Sequence, residues 1–269
     1  MRINHNINAM NANRNLGTNV NALGKSTEKL SSGLRINRAG DDAAGLSISE
    51  KMRAQINGLD QASTNSEDAI SMIQTAEGAL NETHSILQRM RTLAVQSAND
   101  TNVSADRTAL QAEITELNAE LTRINDTTQF NQQYMFKNTV TVKFQVGANS
   151  GENISQSFTK VDATTLGVGT VSIATQTGAD TAIGTINTAI ETVSKQRSEL
   201  GAKQNRLEHT IANLDNANEN LTAAESRIRD VDMASEMMKF STSNILQQAA
   251  QSMLAQANQQ PSQVLQLLQ

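Results

Sequence analysis

The chain has 269 residues, a net charge of −5, no cysteine, no tryptophan, one proline and 2% aromatic residues. The acidic balance excludes nucleic acid as the main partner, because a phosphate backbone needs a basic face. Without cysteine there is no disulfide framework, no thiol catalysis and no cysteine-based zinc site, while apolar bulk drawn from Leu, Ile, Val, Met and Ala suits long uninterrupted helices packed along narrow seams.

The chain opens Met1-Arg2-Ile3-Asn4-His5-Asn6-Ile7-Asn8. This holds no apolar run long enough for a signal-peptide core, and no stretch anywhere reaches the roughly 18 apolar residues of a membrane span. Leu16, Val20, Leu23, Leu30 and Leu34 then recur at spacings of three and four, with Thr27 in the gap, and predict an amphipathic N-terminal helix. Ala69, Ile73, Ala76, Leu80, Thr83, Leu87, Met90 and Ala94 continue the rhythm in a second helix. Asn99-Asp100-Thr101-Asn102 breaks it, Ser104 or Asp106 is placed to cap the next helix, and Leu110, Ile114, Leu117, Leu121 and Ile124 form that helix's seam.

Residues 128–180 change period. Val140, Val142, Phe144 and Val146 alternate with Thr141, Lys143 and Gln145 and predict a half-buried strand. Gly147-Ala148-Asn149-Ser150-Gly151 is a turn, Ile154 to Phe158 a returning strand, and Gly167 to Ile173 a candidate third. From residue 182 to 228 the seam Ile183, Ile186, Ile190, Val193, Leu200, Leu207, Ile211, Leu214, Leu221 and Ile228 holds for more than six heptads, with Arg197, Gln204, Asn218 and Glu225 at skipped positions. At 1.5 Å per residue this is a rod of roughly 70 Å. The last amphipathic segment carries Met233, Met237, Phe240, Leu246, Ala250, Met253 and Ala257 with one slip of register, and Pro261 is expected to begin a separate short turn. The expected fold is mainly α: a long antiparallel helical bundle or coiled coil, elongated, with a small β-hairpin region. Residues 1–44 with 226–269 are expected to form a discontinuous terminal coiled-coil domain. Residues 45–225 are expected to form a helical bundle with the β element at about 130–180.

The ends pose an energetic problem. Isolated helices of this length are marginal in water, so each end needs a partner. If that partner is another copy, ordering and polymerisation become one event, and the free subunit has mobile ends.

Residues 29 to 53, Lys29-Leu30-Ser31-Ser32-Gly33-Leu34-Arg35-Ile36-Asn37-Arg38-Ala39-Gly40-Asp41-Asp42-Ala43-Ala44-Gly45-Leu46-Ser47-Ile48-Ser49-Glu50-Lys51-Met52-Arg53, resemble the signature segment of bacterial flagellins. So do Ile3-Asn4-His5-Asn6, Leu87 to Ser97, Phe144 to Asn149, and Ala223 to Met233. The resemblance implies a structural subunit, not an enzyme, that self-assembles into the flagellar filament for swimming motility. It is expected to be secreted without signal cleavage through the flagellar type III export apparatus, and to be extracellular. The implied assembly contacts are Ile7, Leu16, Leu23, Leu30, Leu34, Arg35, Arg38, Asp41, Met233, Met237, Phe240, Leu246 and Met253. Implied partners are further copies of the chain, the flagellar cap and junction proteins, an export chaperone on residues from about 230 onward, and the Toll-like innate receptor for flagellin. That receptor's face would be Gln88, Arg89 and Leu93 with Glu113. Only about 50 residues lie between the two helical halves, so no projecting outer domain is expected. The alternative is a hook–filament junction protein, present in about a dozen copies rather than thousands; an enzyme inserted in the scaffold and a coiled-coil adaptor are further readings.

Other motifs are weaker. Gly33, Gly40 and Gly45 lack the spacing and the Lys-Ser/Thr pair of a phosphate loop. Arg35, Arg38, Asp41 and Asp42 are expected in ion pairs. His5, His84 and His209 lack metal-ligand spacing, and no nucleophile–base pair is readable, so no cofactor or metal is expected. Residues 233–269 carry one Lys, no Arg and one Phe, unlike a membrane-surface helix.

Overall fold

Long stretches of three-four apolar spacing with few breakers fold as helices. The protein, seen in a computed structural model that describes residues 6–267 and side chains to residue 260, has α1 (Ile7–Ser32), α2 (Ala43–Ala98), α3 (Ser104–Thr127), α4 (Gln176–Arg229) and α5 (Met233–Leu267). Between α3 and α4 lie β1 (Gln129–Phe130), β2 (Gln133–Tyr134), β3 (Val140–Gln145) and β4 (Asn153–Phe158). The elements gather into two compact units: residues up to Ile56 with those from Glu219 onward, and Asn57–Asn218. Among the described residues no helix is long and apolar enough to cross a membrane.

In the Asn57–Asn218 unit the seams pack as their spacing predicts. Ala69, Ile73, Ala76, Leu80, Thr83, Leu87, Met90 and Ala94 of α2 are all buried. Ile114 and Leu121 of α3 and Ile186, Val193, Leu200 and Leu207 of α4 share that core. Ion pairs tie the helices at its surface: Arg89 to Glu113 at 2.7 Å and Arg197 to Glu77 at 3.5 Å. The break before α3 follows the predicted asparagines. Asp106 accepts from the Val103 N–H at 3.2 Å, whereas Ser104 already lies inside the helix.

β1 and β2 form a minimal antiparallel hairpin whose turn residues, Asn131 and Gln132, sit at φ of 45° and 65°, the left-handed pair that a tight two-residue hairpin requires. β3 and β4 pair antiparallel from Val140↔Phe158 to Gln145↔Asn153. Ile154, Gln156 and Phe158 face the core, where the Phe136 and Phe158 rings meet edge to face with centroids 6.1 Å apart.

The expected third strand at Gly167–Ile173 is not one. Its backbone is satisfied by local turns and by helix side chains rather than by a sheet. Asn118 donates to the Val168 carbonyl at 3.2 Å, Gln111 accepts from the Ile173 N–H at 2.6 Å, and Ser97 donates to the Ile173 carbonyl at 2.6 Å. Val168 and Ile173 are buried as anchors. Asn125 and Gln196 do the same for the stretch just before it, at the Val161 N–H and the Thr159 carbonyl.

In the other unit, α1 starts on Asn6, whose Oδ1 accepts from the Ala9 N–H at 3.1 Å. It ends on Gly33 at φ 73°, whose N–H returns to the Lys29 carbonyl at 2.9 Å, a left-handed stop that glycine adopts without steric cost. Asp232 caps α5 through the Ala234 N–H at 3.0 Å. The expected separate turn at Pro261 is absent, since α5 runs on to Leu267. Proline has no N–H to give the Ala257 carbonyl four residues back; the Asn6 side-chain amide donates to that carbonyl instead, at 2.7 Å. His5 lies outside the described residues.

Candidate assembly interface

α1 and α5 pack antiparallel: Asn6 reaches Ala257, and Ser26 reaches Glu236. The covered positions of α1 are Ala9, Ala12, Leu16, Asn19, Leu23, Ser26 and Leu30. Those of α5 are Glu236, Phe240, Ser243, Gln247, Ala250, Leu254 and Ala257. Both series alternate threes and fours without a slip, as a coiled-coil seam does. At the end nearest the chain reversal Glu236 is buried and accepts from the Ser26 hydroxyl at 2.7 Å and from Lys239 at 3.3 Å. The Ser26 hydrogen bond, against desolvation by burial and helped by Lys239, holds the carboxyl below the usual range.

This seam mixes Leu and Phe with Ala and polar residues, and further large apolar residues lie outside it. Ile7, Met10 and Val20 of α1 are exposed, as are Met233, Met237, Met238, Ile245, Leu246 and Met253 of α5. A groove of about 840 Å³ follows the two helices, lined among others by Asn11, Asn15, Asn19, Leu246, Ala250 and Met253. Of the residues expected to drive assembly, Leu16, Leu23, Leu30 and Phe240 therefore sit in the intramolecular seam. Ile7, Met233, Met237, Leu246 and Met253 face outward.

The connection after α1 is held by backbone. Leu34 bridges Asp230, the Arg35 N–H donates to the Arg229 carbonyl at 2.6 Å, and the Val231 N–H donates to the Gly33 carbonyl at 3.0 Å. Ile36 is buried beneath it. Of the ion pairs expected here within or between subunits, one is made inside the chain among the described residues, Arg38 to Glu28 at 2.9 Å. The Arg35 guanidinium donates to the Ile228 carbonyl at 3.1 Å. Asp41 accepts the Arg38 and Asn37 N–H groups at 3.0 and 3.3 Å, which lowers its carboxyl from the usual value, the Arg38 bond being the larger cause. Asp42 caps α2 through the Gly45 N–H at 2.8 Å. These charges satisfy orphan backbone groups at chain reversals, which a carboxylate or guanidinium does better than a distant ion pair. Next to it, Ser49 is buried and donates to Glu225 at 2.8 Å.

On the Asn57–Asn218 unit, Gln88 and Arg89 are exposed, Gln88 lies 2.9 Å from His84, and Arg89 pairs with the half-buried Glu113. Leu93 departs from expectation: it is 0% exposed. It lies only about 40° round the helix from Arg89, and the buried stripe Leu87, Met90, Leu93, Ala94 and Ser97 is wide enough to include it. Of the four, Gln88 and Arg89 are exposed and Glu113 is half-buried.

Comparison with known proteins decides what these helices belong to. The profile of the bacterial flagellin N-terminal helical region matches residues 3–141, and that of the bacterial flagellin C-terminal helical region matches residues 183–268. The chain belongs to the bacterial flagellin family. It is 65% identical over 271 residues to a flagellin of Halalkalibacterium halodurans, and 50% identical over 303 residues to that of Bacillus subtilis, in each case over the full length of both. The crystal structure of Bacillus cereus flagellin matches with a TM-score of 0.50 and 30% identity, covering 56% of this chain and 88% of that one. The chain is thus a short flagellin: a structural, non-enzymatic subunit of the extracellular flagellar filament that serves motility, and it assembles with copies of itself.

The Ser26–Glu236 contact was not anticipated from the sequence. Its signal was the strict three-four frame itself, hidden because the residues occupying it are polar.

Proposed function

We propose that the α1–α5 pair is the part of this flagellin that carries assembly, by packing its outward apolar stripes against those of neighbouring copies. The observation that carries this is the apolar surface the pair leaves uncovered. Its own seam gives five positions to Asn19, Ser26, Glu236, Ser243 and Gln247, while Met233, Met237, Leu246 and Met253 stand exposed. Exposed apolar patches of this kind mark interaction surfaces. Each buried Met or Leu contributes about 1.5–3 kcal/mol, and the contact repeats at every lattice position. Arg35, Arg38 and Asp41 fix the chain reversal beside the stripe and so set its direction. The same stripes are what the terminal copies offer to the cap and junction proteins, and what an export chaperone covers on residues from about 230 onward before secretion. The Toll-like innate receptor for flagellin contacts Gln88, Arg89 and Glu113, with Leu93 supporting that face from below.

Electron microscopy of protein seeded with filament fragments tests the assembly reading. Full-length protein grows fibres; a chain ending at residue 230, and the double substitution Met237→Ser with Met253→Ser, do not. Normal growth of the double variant would place the assembly contacts elsewhere.

A further inference from the structure

The outward stripe is built from an unusual side chain. Met10, Met233, Met237, Met238 and Met253 are between 48 and 67% exposed, and all lie on α1 or α5. Met72, Met90 and Met135, in the Asn57–Asn218 unit, are at most 5% exposed, and Met52 is half-buried. Helix propensity does not require methionine at these five positions, since leucine is as good a helix former. What methionine alone adds among apolar side chains is a thioether that one oxygen atom turns polar.

We propose that these five methionines are an oxidation site controlling assembly: peroxide converts them to sulfoxides in the free subunit, and the sulfoxide form is excluded from the filament until reduced. A sulfur lone pair attacks one oxygen of hydrogen peroxide; the O–O bond breaks, an S–O bond forms, and the other oxygen leaves as water. Sulfur is oxidised by two electrons and the peroxide is reduced by two. The product keeps the shape of the side chain but carries a strong acceptor that has no donor in an apolar contact. The core methionines are shielded, so the fold of the Asn57–Asn218 unit persists while the assembly face is switched. The five are spread over the exposed surface of α1 and α5, so modification at several points adds up where a single one would be tolerated. The inference rests on the assembly reading above, since oxidation matters only if that face is buried between copies.

The test uses the full chain. Monomer and intact filament are exposed to hydrogen peroxide, sulfoxides are located by peptide mass spectrometry, and seeded growth is measured. In monomer the five α1 and α5 methionines oxidise first and Met72, Met90 and Met135 last; in filament the five are protected. Each sulfoxide raises the critical concentration for growth about tenfold, and methionine sulfoxide reductase restores it. The variant with leucine at all five positions (M10L, M233L, M237L, M238L, M253L) grows with or without peroxide. Oxidised wild type growing as well as untreated protein overturns the proposal, as does peroxide inhibition that reductase does not reverse. So does a five-leucine variant that grows untreated and is inhibited by peroxide as strongly as wild type. If Met237→Ser with Met253→Ser blocks growth while oxidation does not, the assembly reading stands and the redox inference alone fails. If neither affects growth, both fail.

Discussion

Asn6 performs two tasks with one amide, and the structure predicts that they can be separated. Its Oδ1 caps α1 through the Ala9 N–H at 3.1 Å, while its Nδ2 donates to the Ala257 carbonyl at 2.7 Å, the acceptor that Pro261 leaves without an intrahelical donor. Asn6→Ala removes both and costs about 1 kcal/mol for the cap plus about 0.5–1.5 kcal/mol for the second bond. Asn6→Asp keeps the cap acceptor and loses only the donor, so its cost is confined to the second bond and to placing a carboxylate beside a carbonyl oxygen. Pro261→Ala supplies a backbone N–H for the Ala257 carbonyl, and the Nδ2 donation then becomes redundant. A double-mutant cycle of Asn6→Asp with Pro261→Ala therefore shows a coupling of about 0.5–1.5 kcal/mol. The readout is amide exchange in the first turn of α1 and around Ala257, followed by mass spectrometry on the full-length subunit. Strict additivity, within about 0.3 kcal/mol, would refute the reasoning that Asn6 compensates for the proline.

Two further predictions concern charge and core. Because the Glu236 carboxyl is held below its ordinary 4.5, its contribution to α1–α5 pairing is complete above that value and is lost as pH falls through the lowered one; wild-type exchange protection in α1 and α5 falls in this acid window more than in Glu236→Gln, and identical acid profiles would sink the assignment. Lys25, Lys29, Arg35, Asp41, Asp42, Asp232 and Lys239 line the same hollow and are common to both proteins, so the difference isolates Glu236. Leu93→Ala lowers the stability of the Asn57–Asn218 unit by about 2–5 kcal/mol, whereas Arg89→Ala, which breaks a solvent-screened pair, leaves that stability nearly unchanged and, on the proposed receptor contact, lowers receptor activation by the monomer; calorimetry and a reporter-cell assay read the two effects.

The bundle was legible because its seams are filled by apolar residues that have no other use. Ala69 through Ala94 and Ile186 through Leu207 read as heptads and pack as heptads. α5 misled for the opposite reason. Hydrophobic periodicity follows the large apolar residues of a helix, and on α5 Met237 lies on one side of the seam while Leu246 and Met253 lie on the other, about 160–180° away; the face turned to α1 is Glu236, Phe240, Ser243, Gln247, Ala250, Leu254 and Ala257. The single slip was the trace of a stripe that crosses from one flank of the seam to the other. Gly167–Ile173 misled through composition. Val168, Val171 and Ile173 read as strand, but strand pairing depends on where a backbone finds donors, and here Asn118, Gln111 and Ser97 on distant helices provide the bonds. Such polar pins leave no periodic trace in the chain.

The exposure of Met237, Leu246 and Met253 outside a seam that is partly polar has a thermodynamic consequence for the proposed assembly. Two paired helices whose seam alternates Leu16, Leu23, Leu30, Phe240 and Leu254 with Asn19, Ser26, Glu236, Ser243 and Gln247 gain less than a fully apolar seam would give, because much of the apolar area they could bury remains outside. The free pair is then only marginally held, and the ordering entropy of α1 and α5 is offset mainly when a neighbour covers Met237, Leu246 and Met253. Turning the faces around would stabilise the subunit and leave it nothing to polymerise with. A strong apolar seam inside and another outside would drive association before export. A weak inner seam with a directional anchor at Ser26–Glu236 keeps the pair in register without satisfying it. The free energy that orders the ends is in this way the same free energy that joins one copy to the next.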